Sequence, residues 1–317
     1  MPVAATTDKE FIELFESKGP AQMSRDLDLP VRGIFARRVR LEKKLEIKIR
    51  SPEEHRSVVS ADIQGRLHFP IKDGVVIVGS DAHYWPNYIT PAHKAFVRFC
   101  KELKPKAIIA NGDFLDGATI SRHASIGWEY KPTLIGEIEA CQERLAEVEA
   151  AAPNAKKFWT LGNHDSRFET RLAAVAQEYA RTHGFSLSDH FPEWEPCWSV
   201  WVGKDVVVKH RWKGGVHATH NNTAQSGKTM VTGHLHSLKV TPYSDYTGTR
   251  FGVDTGTLAD AYGVQFNNYL EDSPRNWRSG FVVLTWQDGR LLWPEIVHVI
   301  DSEKQLVEFR GEIIDVS

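Results

Sequence analysis

Apolar and polar positions change rhythm twice along the chain. In the first fifty residues the spacing is helical. Thr7-Asp8 can cap a helix with Glu10 in its first turn, and Phe11, Ile12, Leu14 and Phe15 then supply an apolar face. Lys18-Gly19-Pro20 stops that helix. A second short helix fits Ala21 to Leu27, Leu29-Pro30 makes a turn, and a third runs from Val31 to Leu45 with Ile34, Leu41 and Leu45 on one side. Three short helices with a tight turn before the last form a helix-turn-helix pattern over residues 1–50. Residues 51–73 are polar with scattered Pro and Gly and read as a linker, with room for a wing hairpin or an edge strand of the next domain.

From Gly74 the rhythm becomes that of strands alternating with helices. Val75 to Val78, Ala107 to Ala110 and Phe158 to Leu161 are short apolar runs. Between and after them, Pro91–Leu103, Leu134–Ala151 and Arg167–Arg181 have helical spacing, with Ile135, Ile138, Cys141, Leu145 and Val148 on the inner face of the second. The second half is richer in strands: Trp198–Val202 and Asp205–Lys209 joined by a two-residue turn at Gly203-Lys204, then Thr229–Thr232, Val240-Thr241, Arg250–Val253, Phe281–Trp286 and Leu291–Val299. The expected architecture is an α/β layered core over residues 74–317, with two packed sheets and helices outside them.

Composition narrows the class. A chain of 317 residues with 41% hydrophobic and 25% charged residues and a net charge of −2 is ordinary globular material, so any nucleic-acid surface must be local. No apolar run approaches the roughly 18 residues of a membrane span, and the N-terminus lacks a signal-peptide core, so a cytoplasmic protein without membrane contact is expected. The three cysteines, Cys100, Cys141 and Cys197, lack metal-ligand spacing and read as buried thiols in a reducing compartment. Charge is uneven in one place. From Arg32 to Arg50 eight basic residues face two acidic ones, and Arg32, Arg37, Arg38, Arg40 and Lys44 form a candidate track for a phosphate backbone.

Five strand or loop ends carry metal-type ligands: Asp81-Ala82-His83, Gly112-Asp113-Phe114-Leu115-Asp116, Gly162-Asn163-His164-Asp165, His210 at the end of VVVKH, and Gly233-His234-Leu235-His236. Asp-x-His and His-x-His place alternate side chains on one side of an extended backbone. Glycine before Asp113, Asn163 and His234 is expected to let the chain turn sharply and leave the ligand exposed. Mixed carboxylate, imidazole and amide donors suit manganese, iron or zinc better than calcium.

In this order, these residues resemble the calcineurin-like metallophosphoesterase family, over roughly Gly74 to Gly256. The resemblance implies a four-layer αββα core and two divalent metal ions, manganese first, with iron, zinc, nickel, cobalt or magnesium as alternatives. It implies Asp81, His83 and His236 on one ion, Asn163, His210 and His234 on the other, and Asp113 shared. A bridging hydroxide would then attack the phosphorus, with His164 contacting the phosphate and serving the leaving oxygen, its tautomer fixed by Asp165 or a backbone carbonyl.

Two features depart from the family pattern. Arg211-Trp212 follows His210 where glycine is usual, and Gly117-Ala118 follows Asp116 where Arg-Gly is usual. The phosphate-binding group must then come from elsewhere, and Arg122, Arg167 and His123 are the candidates. A helix-turn-helix fused to such a domain also resembles phage and prophage proteins. The leading expectation is a DNA-directed phosphodiesterase or nuclease. A small-molecule phosphatase or cyclic-nucleotide phosphodiesterase is the alternative, favoured by Asp116 where the nucleases tend to have histidine. A third reading is a DNA-binding regulator with a silent metal domain. For residues 1–50 themselves, the alternative to DNA binding is a helical arm that packs on the main domain or makes a dimer. Oligomeric state is left open.

Overall fold

The structure, a computed structural model, describes residues 6–52, 65–123, 125, 127–266 and 275–317. A wing hairpin would fall on 53–64, outside the described residues. The chain divides into two compact units, Met1–Gly65 and Arg66–Ser317.

In the first unit, helix α1 (Asp8–Leu27) begins with a capping box, the Thr7 hydroxyl accepting the Glu10 N–H while the Glu10 carboxylate accepts the Thr7 N–H. It is kinked where the sequence calls for a stop: Gly19 adopts φ 76° and ψ 168°, immediately before Pro20. Helix α2 (Val31–Leu45) follows. Phe11, Phe15, Met23, Ile34, Leu41 and Ile49 make a separate small core. Leu45, expected on the inner face, is instead exposed.

The second unit contains two sheets. Among the described residues, one runs β15-β14-β13-β11-β2-β3-β4-β5, with β12 paired to β11. The other runs β1-β6-β7-β8-β10-β9. Strands β2 (Gly74–Gly79), β3 (Ala107–Ala110), β4 (Lys156–Thr160) and β5 (Glu195–Cys197) are parallel neighbours in the first sheet. In the second, β7 (Val206–Val208), β8 (Thr229–Thr232) and β10 (Gly248–Asp254) are parallel, while β6 (Ser199–Val202) and β9 (Lys239–Asp245) run antiparallel to their neighbours β7 and β10. Strand β1 (Arg66–Phe69), within the stretch read as a linker, pairs in parallel with β6 at this sheet's edge. Strand β11 (Gly280–Gln287) lies antiparallel to β2. From β11 the chain turns through Asp288-Gly289 into β12 (Arg290–Leu291), then continues through β13 (Glu295–Asp301), β14 (Leu306–Phe309) and β15 (Glu312–Asp315).

Alternation within β2 and β3 explains the layers. Val76, Val78, Ala107 and Ile109 point between the sheets and meet Val200, Val208, Val231 and Val253. Ile77, Ile108 and Ala110 point the other way, onto helices α3 (Pro91–Leu103) and α4 (Leu134–Ala151). Helix α7 (Ala218–Ser226) covers the outer face of the second sheet, drawn close because Gly252 of β10 has no side chain to meet the Thr219 carbonyl. This is the expected αββα stack.

The differences are local. Ile135 is exposed, while Leu134 beside it packs on the core. The β6–β7 connection spans three residues, Val202 pairing with Val206, so Gly203-Lys204 is not a two-residue turn. The run expected over 291–299 breaks at Leu292-Trp293-Pro294, where proline cannot donate to a ladder. The helix expected to reach Arg181 ends at Val175 as α5 (Arg167–Val175). A four-residue helix, α6 (Leu187–His190), starts at Ser186, whose N–H donates to the Asp189 carboxylate at 3.3 Å, and was not legible as a helix. The three cysteines are buried and free, as expected.

Candidate metal centre

Every ligand-bearing segment leaves the C-terminal end of a parallel strand: 81–83 from β2, 113–116 from β3, 163–165 from β4, His210 from β7, and 234–236 from β8. Ligand sites in open α/β sheets gather at such ends, because parallel strands deliver their loops to one edge. Backbone bonds then tie the loops together. Asp81 N–H donates to the Gly112 carbonyl at 2.8 Å, and His83 N–H to the Asp113 carbonyl at 3.0 Å. Asp113 Oδ1 accepts the His164 N–H at 2.8 Å, and Asp81 Oδ2 accepts the His234 N–H at 2.9 Å.

Asp81, His83, Asp113, His234 and His236 all have positive φ, between 42° and 72°. A non-glycine residue there costs of order 1–3 kcal/mol, and such strain concentrates where side chains are held for a task. This revises the role expected of the glycines. Only Gly112 of the three takes the left-handed turn itself, at φ 81°. Gly162 and Gly233 leave room instead, since a methyl group would strike the Asp113 carboxylate at one and Asp81 and Ser80 at the other.

The side chains form three clusters whose ligating atoms lie within 4.8 Å of one another: Asp81, His83 and His236; Asp113, His210 and His234; and His83, Asp116 and His164. In the second, His210 Nδ1–H donates to the Asn111 carbonyl at 2.8 Å, which turns Nε2 toward Asp113 Oδ2 at 3.0 Å. Two lone pairs at that distance repel, so a positive charge belongs between them, either a second ring proton or a metal ion. Burial opposes a charged His210, but the Asp113 and Asp81 carboxylates outweigh it and push the ring up to about 10. Burial likewise opposes ionisation of Asp81 and Asp113, yet the facing imidazoles hold both carboxyls below their usual range. His236 Nε2 meets Asp81 Oδ1 at 3.0 Å, and its Nδ1 is buried without a hydrogen-bond partner among the described residues. Asn163 Oδ1 is also buried without one. Bare nitrogen and oxygen atoms from carboxylate, imidazole and amide groups fit divalent metal ions.

Asp116 is central to the third cluster. Its Oδ1 lies 2.9 Å from His83 Nδ1 and 2.7 Å from His164 Nδ1, and those two rings hold its carboxyl far below the usual range against burial. Arg167 at the start of α5 donates to the Asp116 carbonyl at 2.9 Å and to His164 Nε2 at 3.2 Å. Burial opposes a charged His164, while Asp113 and Asp116 favour it. The Arg167 bond requires Nε2 to be an acceptor, so the ring is neutral with its proton on Nδ1 while that bond is made.

Asp165 does not orient His164; the Asp116 carboxylate and carbonyl do. The Asp165 carboxylate instead accepts five N–H groups, from Asp113, Phe114, Leu115, Gly162 and Trp159 Nε1, at 2.8–3.1 Å. It shapes the Asp113 loop from within. Glu137 of α4, fully buried, supports the next turn by accepting the Gly117 and Ala118 N–H groups. Asp165 stands out in the sequence as the fourth letter of GNHD, though in a different role, but Glu137 had no local signal.

Of the phosphate candidates, Arg167 lines a cleft of about 500 Å³ over the cluster and exposed His123 lies along it, while Arg122 is exposed and does not line it. Phe266 and Trp277, which carried no sequence signal, pack their rings on His236, and Phe266 also packs on His83. In the first unit, Arg37 bonds the Thr6 carbonyl and hydroxyl and pairs with Asp8, Arg38 pairs with Glu42, and Lys44 pairs with Asp8. Arg32 and Arg40 are exposed on α2.

Fold and site define a metal-dependent enzyme built on two facing sheets. A family model described as Calcineurin-like phosphoesterase matches residues 74–289, more than half of the sequence, and the chain belongs to that metal-dependent, dinuclear family. Among curated proteins it is similar to the Gene 54 proteins of Mycobacterium phages L5 and D29. The first is 24% identical over 228 residues and the second 25% over 230, each match covering 65% of this chain and 87% of the relative. Similar solved structures include Vps29 complexed with zinc from Entamoeba histolytica, at TM-score 0.41 and 13% identity, covering 77% of this chain and 99% of that one. The phosphoesterase Yfce from E. coli matches at TM-score 0.34 and 15% identity, covering 69% and 97%. No helix among the described residues is long and apolar enough to cross a membrane.

Proposed function

We propose that this phosphoesterase is a DNA-directed phosphodiesterase with two divalent metal ions. Asp81, His83 and His236 would hold one ion, Asn163, His210 and His234 the other, and Asp113 both. The observation that carries the reading is the convergence of these seven side chains from five strand ends, with His210 Nε2, His236 Nδ1 and Asn163 Oδ1 lacking hydrogen-bond partners among the described residues. When bound, the ions supply Lewis acidity toward the phosphoryl group and a nucleophile available at neutral pH. The chain's own residues supply the rest. Asp113 Oδ1 accepts the His164 N–H, which fixes the carboxylate with Oδ2 facing His210 and would let it serve as the shared ligand. Arg167 offers its charge to the phosphoryl oxygens, replacing the arginine that the family often places after Asp116. His164, its Nδ1–H held by Asp116, presents Nε2 to the leaving oxygen, where it can hold or pass a proton. Exposed Arg32 and Arg40 support the DNA assignment.

A second reading, a phosphatase or cyclic-nucleotide phosphodiesterase for small substrates, is favoured by the cleft, whose volume suits a single nucleotide-sized ligand. Hydrolysis of single- and double-stranded DNA, a cyclic dinucleotide and a phosphomonoester, each with manganese, magnesium and zinc, separates them. DNA is expected to be cleaved and the monoester to be poor. Turnover of the monoester or cyclic substrate alone would overturn the DNA assignment.

A further inference from the structure

The cleft over the metal-ligand cluster has two chemically different linings. Arg167, the site imidazoles and the Asp113 and Asp116 carboxylates make one part polar. Trp85, Tyr130, Phe266 and Trp277 make the other aromatic. Phe266 and Trp277 meet each other at 5.0 Å between centroids, and Trp277 lies 4.3 Å from the His236 ring, so that pair has a local task in bracing an imidazole. Among the described residues, neither Trp85 nor Tyr130 packs its ring on a site imidazole. They meet edge to face at 6.5 Å, and Tyr130 is 78% exposed at the cleft. Both come from loops beside the site: Trp85 follows His83 by two residues, and Tyr130 precedes α4. Nearby Lys131 is paired with Glu129 at 2.8 Å. The two bonds of Arg167 go to a carbonyl and a ring nitrogen, which leaves its charge without a carboxylate partner within 4.0 Å among the described residues.

From this arrangement we infer that Trp85 and Tyr130 form a stacking subsite for a nucleobase adjoining the scissile phosphate. This rests on the phosphoesterase reading above and deepens it. A flat apolar group next to an anion is what a nucleotide presents, and the cleft volume of about 500 Å³ accommodates one. Aromatic platforms accept any base, because every base has a π-face. A base inside a duplex is already stacked on both sides, so the nucleotide at the scissile position must be unpaired. The substrate is then single-stranded nucleic acid or a frayed end.

The test is calorimetric titration of the full-length, manganese-loaded protein with two ligands that cannot be hydrolysed: the 5′-methylenephosphonate of deoxyadenosine, and the same phosphonate on a base-free deoxyribose. The nucleoside phosphonate is expected to bind on the order of 5- to 100-fold more tightly. Tyr130→Ala and Trp85→Leu should each remove most of that difference while changing base-free binding less than about twofold. Tyr130→Phe should retain it. Thymidine in place of deoxyadenosine should change affinity by less than about tenfold. Equal binding of the two phosphonates to the wild-type protein overturns the subsite, as does a base-dependent gain that survives in both Tyr130→Ala and Trp85→Leu. Because binding is read without turnover, base-dependent binding in a protein that cleaves no diester would refute the activity and leave the subsite standing.

Discussion

Helix α2 and the strand-end loops of the second unit are both dense in charge, and they treat it oppositely. On α2 the backbone is regular, and three of five candidate DNA contacts already have partners: Arg37 and Lys44 on Asp8, and Arg38 on Glu42. Of these, Lys44–Asp8 is a surface pair, screened by salt and weak, while Arg37 and Arg38 are largely covered and turned to partners within the unit. At the strand ends five of seven proposed ligands sit at strained positive φ, the carboxylates are buried, and polar atoms remain bare. A fold keeps strain and unsatisfied polar atoms only where surrounding contacts enforce them. The comparison teaches that the density of charge says little about a site, whereas charge held buried and incompletely paired says a great deal.

The largest effect expected from breaking this enforcement is at Asp165. Replacing it with alanine leaves five buried N–H donors without their acceptor, at about 1–3 kcal/mol for each one that water cannot reach. Thermal melting should show a loss of at least about 4 kcal/mol, and a loss under about 1 kcal/mol would mean the loop is shaped by other contacts. At the active centre, His164→Asn should lower the rate on a diester by roughly 10³-fold, with a smaller effect on a substrate whose leaving group needs no proton. Equal losses on both would assign His164 to phosphate binding alone.

On α2, the Arg32→Ala, Arg40→Ala double variant should reduce the slope of log affinity for DNA against log salt by about 1.8, as expected for two phosphate contacts. An unchanged slope would make the helix an arm rather than a DNA-binding element. The smallest effect concerns Glu137. Burial first, and the charge of Asp116 second, push it up to about 7 from an ordinary 4.5. Its folded value lies above its unfolded one, so its contribution is full below about 4.5 and is lost as pH rises toward 7. Glu137→Gln should flatten that part of the stability profile in melts across the range, and a profile as steep as wild type would place the titration elsewhere.

Much of this was legible in the sequence because it is local. The apolar runs Val75–Val78 and Ala107–Ala110 end abruptly in ligand-bearing segments, and the third dimension only brought those segments together. The kink at Gly19-Pro20 was legible for the same reason. What escaped depends on distant contacts or on patterns that periodicity does not carry. Helix α7 reads ATHNNTAQS and has almost no apolar stripe; it is helical because it lies on β10 at Gly252. Glu137 looks like any solvent-facing glutamate of a helix until the 117–118 turn is seen folded over it. Phe266 and Trp277 carry no motif and become part of the site by stacking on imidazoles from other strands. The choice between Arg122 and Arg167 also required the fold, since both are basic residues shortly after a ligand motif.

Asp113 is the proposed ligand common to two ions, and every other proposed ligand is placed around it. Anomalous diffraction from crystals grown with manganese, for the wild-type chain and for Asp113→Asn, tests this most directly. Two peaks per chain are predicted, one among Asp81, His83 and His236 and one among Asn163, His210 and His234, both touching Asp113, with at least one lost in the variant along with activity. A single peak, a peak within the His83, Asp116 and His164 cluster, or two undiminished peaks in Asp113→Asn would contradict it.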